Sequence, residues 1–186
     1  MAAIFDPDDL RAMAKSAVGL SNRQAACAHI IDELKRKHPG HIRDDIPWLF
    51  NNSGGAMGEM KILHFSLSEY LLLYGTPIGT GGHSGRYRTQ LWDFVFDGEM
   101  WSYEEGELER TVFEPGGVSY LGKGRVKGWG VPHAAFMLEY ARGPVVTMLP
   151  FGLADSAFST VDMPTLAKQL WYASRLTIGE LLKGKV

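Results

Sequence analysis

The sequence has a single cysteine, Cys27, among its 186 residues. It cannot close an internal disulfide or supply the companions of a zinc–thiolate site, and a reducing compartment is compatible with it. Long apolar runs are also missing. Nothing approaches eighteen uncharged apolar residues, and Asp6, Asp8, Asp9, Arg11 and Lys15 break up the stretch where a secretory leader would be apolar. Neither a membrane span nor a signal peptide is expected, and without a leader Asn51-Asn52-Ser53 is a chance match to a glycosylation sequon. There is no excess of one charge: 19 basic against 21 acidic residues give −2, with the signs interspersed. That excludes the basic face of a nucleic-acid binder. Gly79 to Arg86 lacks the G-x-x-x-x-G-K-[ST] order of a phosphate loop, and Ser84 beside His83 lacks the G-x-S-x-G frame of a nucleophile elbow.

What is present is ample for a core, since 45% of residues are hydrophobic and the length suits one domain, 1–186. Residues 1–52 read as N-terminal helices. Asp6 caps one with Pro7 at its first position, Ser21 and Gln24 form a capping box for a second, and a third short helix is expected between Asp44 and Asn51. From residue 57 to 143 the texture is β. Leu63-His64-Phe65-Ser66-Leu67 alternates, Asp97-Gly98 reads as a hairpin turn, Pro115-Gly116-Gly117 as another, and Gly79 to Arg86 as a turn between strands. Short strands with no helices between them predict a mainly β fold with flanking helices: an antiparallel barrel or double-sheet jelly roll of cupin type, able to enclose one ligand. A cupin metal centre needs closely spaced histidines on one strand, and none of the six here (29, 38, 41, 64, 83, 133) forms an H-x-H pair, so no metal is expected. Residues 144–186 read as two amphipathic helices, the second capped by Asp162. Its apolar face of Leu166, Leu170, Trp171, Ala173, Ile178 and Leu182 lies opposite Lys168, Gln169, Arg175, Glu180 and Lys183.

Two strand-like stretches, Gln90 to Phe96 and Ala135 to Tyr140, are apolar except for one acid each, Asp93 and Glu139. Alternation puts Asp93 on a face with Leu91 and Val95, and Glu139 with Ala135, Met137 and Ala141, while the opposite faces are apolar too. Either each acid marks a strand edge open to water, or the two are buried and form a pair, because a lone buried carboxylate is too costly to persist unpartnered.

The run Trp48 to Met60, then His64, Ser66 to Tyr70, Gly75-Thr76, Gly82 to Gly85, Glu139 to Gly143 and Phe158 to Asp162 closely resembles the sterol C-8 isomerase and sigma non-opioid receptor family, over nearly the whole chain. Ala56 and Met148 to Gly152 lean toward the isomerase branch. The resemblance implies a cupin-like barrel with ligand inside, two C-terminal helices on a membrane surface, and homotrimers. It implies that Asp93 and Glu139 are the essential acidic pair, with Tyr70 hydrogen-bonding the glutamate. Met60, Ile62, Tyr87, Leu91, Val145 and Leu149 fall at ligand-binding positions. The family's N-terminal membrane helix has no counterpart here, so attachment is expected to be peripheral, at the endoplasmic reticulum in a eukaryote, with a soluble cytoplasmic form as the other option.

The implied reaction shifts a sterol double bond from the 8,9 to the 7,8 position by adding one proton and removing another, and such chemistry needs no cofactor. The implied partners are a sterol or a hydrophobic cationic amine. Three functions compete: an isomerase, a non-catalytic sigma-like receptor for amines or sterols, and a structural barrel whose acids are incidental.

Overall fold

The computed structural model describes residues 3–185. Ten strands form two antiparallel sheets. The six-stranded sheet has the order β1 (Leu49–Ser53), β2 (Ala56–Phe65), β3 (Glu69–Thr76), β10 (Ala135–Arg142), β5 (Gln90–Gly98) and β8 (Val118–Leu121). The four-stranded sheet runs β4 (Thr80–His83), β9 (Lys127–Val131), β6 (Met100–Glu104) and β7 (Thr111–Phe113). This is the mainly β, double-sheet class with flanking helices that the strand spacing predicts.

The six-stranded sheet is buried on both faces, which is why β3, β5 and β10 read as continuous apolar runs. Its outer face, including Leu71, Leu73, Phe94, Phe96, Phe136, Leu138 and Tyr140, packs under the helices α1 (Pro7–Ser16) and α2 (Arg23–Lys37) through Leu10, Met13, Ile30 and Leu34. Its inner face, with Ile62, Leu72, Leu91, Val95 and Met137, looks across at the second sheet. One end of the space between the sheets is covered by a 3-10 turn (Val145–Met148), α3 (Leu149–Phe158) and α4 (Met163–Leu182).

Four local readings need correction. The segment expected as a third helix is largely β1, because Gly54 and Gly55, at φ 61° and 85°, make a hairpin that pairs Leu49–Ser53 with Ala56–Met60, and that pairing draws the apolar cluster Trp48-Leu49-Phe50 into the sheet edge. Helix α2 starts one residue later than the Ser21 box, since the Asn22 side chain accepts from Ala25 N at 2.9 Å. The glycine stretch after Gly79 is largely strand β4: a Cβ on Gly82 would lie 2.3 Å from the Gly54 carbonyl oxygen, so the glycines permit a close backbone approach. Finally, Asp97-Gly98 makes no hairpin. Gly98, at φ 76°, stays paired with Ala135 in the first sheet, and the chain then crosses to the second.

Helix α4 also lies differently from the expected amphipathic arrangement. Asp162 caps it as predicted, accepting from Thr165 N at 3.2 Å. Its buried side, however, carries Gln169, Ala173, Leu176 and Glu180, while Leu170, Trp171, Ile178 and Leu182 face outward. Gln169 is buried because its amide donates to the Phe50 carbonyl at 2.7 Å, and Glu180 because it is met by His41 and Lys183.

Candidate functional site

Strands β5 and β10 are neighbours, and their register places Glu139 directly opposite Asp93. Both acids point to the inner face, as alternation from Leu91, Val95 and Met137 requires. Tyr70 comes from β3 on the far side of β10, and its hydroxyl donates to Glu139 Oε1 at 2.5 Å. Asp93 has a different partner. Lys127, at the start of β9 in the facing sheet, donates from Nζ to Asp93 Oδ2 at 2.8 Å and to Ser119 Oγ at 2.6 Å. Ser119 sits beside Asp93 in register on β8. The Lys127 and Asp93 side chains are 3% and 6% exposed, so this is an ion pair inside the protein.

The two carboxyls therefore differ. Asp93 is balanced by an ammonium, whereas Glu139 has a phenol. Burial, and then the neighbouring Asp93 charge, push the Glu139 carboxyl up to about 7 from its ordinary 4.5, with the Tyr70 hydrogen bond and Lys127 pulling the other way. The accessible surface that Glu139 keeps faces an internal cavity, whose wall it forms. Near neutral pH the site thus holds one carboxyl able to donate a proton and one fixed carboxylate beside it.

All nine residues singled out from the sequence line this one cavity: Asp93, Glu139, Tyr70, Tyr87, Met60, Ile62, Leu91, Val145 and Leu149. The rest of the wall is largely apolar and aromatic, including Phe65, Tyr74, Met100, Trp129, Met148 and Phe151. Burial, with the charge on Glu139 second, holds the hydroxyls of Tyr74 and Tyr87 far above their ordinary range, so they are neutral hydrogen-bonding groups. Of the histidines, His83 alone contributes to the wall among the described residues. The cavity therefore lacks the convergent imidazoles of a cupin metal centre.

Sequence reasoning missed Lys127, Ser119 and the α4 residues Gln169 and Ala173. Lys127 stands between Arg125-Val126 and Gly128-Trp129 and reads as a surface lysine. Its one clue is alternation, which puts it on the face of Trp129 and Val131. Tyr70 gives a direct check on the electrostatics. Tyr70→Phe removes a hydrogen bond that lowers the Glu139 value, so the carboxyl is expected to titrate above about 7 in carboxyl-carbon NMR. An unchanged or lower value would show that the phenol does not hold this carboxylate.

The chain matches the family model described as "ERG2 and Sigma1 receptor like protein" over residues 1–185. It is 43% identical over 189 residues to the C-8 sterol isomerase ERG2 of Gibberella zeae, covering 98% of this chain and 79% of that protein. It is 41% identical over 186 residues to the C-8 sterol isomerase of Neurospora crassa, covering 98% and 73%. The sigma non-opioid intracellular receptor 1 of Gallus gallus is 42% identical over 166 residues, covering 87% and 73%. Among solved structures, an RmlC-like cupin from Shewanella frigidimarina superposes on 54% of this chain and 86% of its own, with 17% identity and a TM-score of 0.45.

Proposed function

This chain belongs to the ERG2 and Sigma1 receptor like family, and we propose that it is a sterol isomerase that moves a ring double bond from the 8,9 to the 7,8 position. The observation that carries this reading is the unequal acid pair on the wall of an apolar cavity. Shifting that bond requires a proton placed on C9 and another taken from C7, with positive charge at C8 in between. Glu139, whose carboxyl titrates at about 7 and so keeps a large protonated fraction near neutral pH, supplies the first proton. Once it has done so, the two carboxylates of Glu139 and Asp93 face the cation in a site that excludes water, which is where electrostatic stabilisation is largest. The carboxylate of Glu139 then takes the C7 proton and the pair returns to its starting state. The proton balance closes without a redox partner.

Tyr70 holds the Glu139 carboxyl in place and shares its charge, and Lys127 does the same for Asp93. The apolar wall, Met60, Ile62 and Leu91 on the six-stranded sheet with Val145 and Leu149 at the helical end, fits a ring system with little polarity. The decisive experiment is incubation of the purified protein with a Δ8 sterol in detergent: conversion to the Δ7 isomer is expected, and in D2O one deuterium enters the product in each turnover before which the Glu139 carboxyl has exchanged its proton with solvent. Tight binding of hydrophobic amines without conversion would instead favour the non-catalytic, sigma-like reading.

The proposal extends to the membrane and to assembly. No described helix is long and apolar enough to cross a membrane. Yet Trp171, Ile178 and Leu182 of α4, and Phe158 at the end of α3, are exposed, at 65%, 58%, 85% and 88%. We read this face as lying in a lipid surface, at the endoplasmic reticulum, beside the helical end of the cavity through which a sterol would enter. In flotation with liposomes the protein is expected to rise with the lipid, and Trp171→Lys with Ile178→Lys to leave it in the soluble fraction. A parent protein that stays behind would remove the membrane part of the proposal. Homotrimerisation fits the exposed Tyr103 and Val112 on the second sheet, and light scattering reads it directly.

A further inference from the structure

Outside the cavity, three side chains from distant parts of the chain converge. His41 lies in the connection after α2, His64 on β2 and Glu180 in the last turns of α4, and one donor atom of each lies within 4.8 Å of those of the other two. We propose that His41, His64 and Glu180 form a binding site for a divalent metal of the zinc type, which clamps the end of α4 onto the six-stranded sheet.

The hydrogen bonds prepare the donors. His64 is 1% exposed, and its Nδ1 sits 3.0 Å from the His41 carbonyl oxygen. A carbonyl only accepts, so Nδ1 carries the hydrogen and Nε2 is left with a lone pair. That Nε2 is buried and has no hydrogen-bond partner among the described residues. An imidazole whose other nitrogen is fixed by a carbonyl has the arrangement found in metal-ligating histidines. Glu180, 4% exposed, brings Oε2 to 2.7 Å from His41 Nδ1, while its Oε1 accepts from Lys183 Nζ at 2.7 Å. Two imidazoles and a carboxylate are a donor set for zinc, with water completing four-coordination. His41, whose side chain is 29% exposed, is the open side through which metal and water reach the site. The metal would replace the hydrogen that now joins His41 to Glu180. The spacing of histidines in sequence gave no hint of this, because the ligands come from a loop, a strand and a helix.

The location gives the clamp a consequence. Helix α4 also supplies Gln169 and Ala173 to the cavity wall, so a metal at Glu180 would fix the position of a helix that forms part of that wall.

The test is calorimetric titration of Zn2+ into the full chain after chelator treatment. One equivalent is expected to bind, and Co2+ in its place is expected to give visible absorption of tetrahedral nitrogen and oxygen ligation without a thiolate band. His41→Ala, at the partly exposed position, is expected to weaken binding at least ~100-fold, the upper end of the loss seen when a group that merely supports a metal ligand is removed. His133→Ala, at an exposed histidine elsewhere, is expected to change nothing. Lys183→Ala frees Glu180 Oε1 and is expected to tighten binding. No saturable Zn2+ binding by the parent, or binding that survives His41→Ala and loses strength in His133→Ala, overturns the proposal. If His41→Ala does not fold, the Co2+ spectrum of the parent decides, and its absence is equally adverse.

Discussion

Glu139→Gln is expected to abolish double-bond migration while making the folded protein more stable above pH 7. The first part follows from the chemistry. Gln keeps the shape of the side chain and can still accept from the Tyr70 hydroxyl, but it has no proton to give and no charge to set against a cation. A positioned general acid contributes up to ~10⁴-fold, and at least that loss is expected here. The second part follows from linkage. In the unfolded chain this carboxyl has its ordinary value of 4.5, and in the fold it lies at about 7. Below 4.5 both states hold the proton. Between 4.5 and 7 only the folded state does, so stability falls as pH rises through that window, by roughly 3 kcal/mol in all, and the full cost persists above it. Gln cannot ionise and escapes this cost. Urea unfolding of parent and variant at pH 5 and pH 8 checks the sign: the parent is expected to lose more stability between the two than Glu139→Gln does. Near-normal turnover in a folded Glu139→Gln protein would end the proton-transfer assignment and return the acids to a structural role.

Such a trade of stability for reactivity is what made the acids visible in the sequence. A carboxyl within an apolar strand is a local violation that a stable core avoids, and two of them on neighbouring apolar runs are hard to attribute to chance. The antiparallel class, the caps at Asp6 and Asp162, and the inward faces of β5 and β10 were readable because alternation and capping are local properties. The paths that were misread depend on partners remote in sequence. Leu49 and Phe50 form a short apolar cluster that can be read as a helix, but the Gly54-Gly55 hairpin makes residues 49–53 a strand. Gly98 carries a turn signature but is held in register by Ala135. The α4 face that carries Gln169 and Glu180 reads as solvent-exposed until the Phe50 carbonyl, His41 and Lys183 are seen to meet it. Lys127 was hidden for the same reason: its partners, Ser119 and Asp93, lie 8 and 34 positions away, on two strands of the opposite sheet.

Lys127→Met is the second large effect, and it separates the structural from the chemical part of that ion pair. The substitution keeps an unbranched side chain of similar length and removes the charge. It leaves the Asp93 carboxylate buried without its cation, and breaking a buried pair from one side costs ~3–5 kcal/mol, a large share of the ~5–15 kcal/mol that holds a typical domain folded. A marked drop in the midpoint of thermal unfolding is therefore expected. Asp93→Asn alone is expected to be comparably damaging, because it strands the ammonium instead. The double variant Lys127→Met with Asp93→Asn leaves no uncompensated charge and is expected to recover most of the lost stability. It is not expected to recover turnover, since the fixed carboxylate opposite the cation is gone. Ligand preference gives an independent readout. Removing Lys127 takes away the ammonium beside Asp93 and leaves that place in the cavity wall open to another cation, so a hydrophobic amine that carries its own ammonium is expected to bind more tightly to Lys127→Met than to the parent. Calorimetry with such an amine measures this. Weaker amine binding by a folded Lys127→Met would mean that the lysine does not set the charge of the cavity, and the contrast drawn between Asp93 and Glu139 would have to be given up.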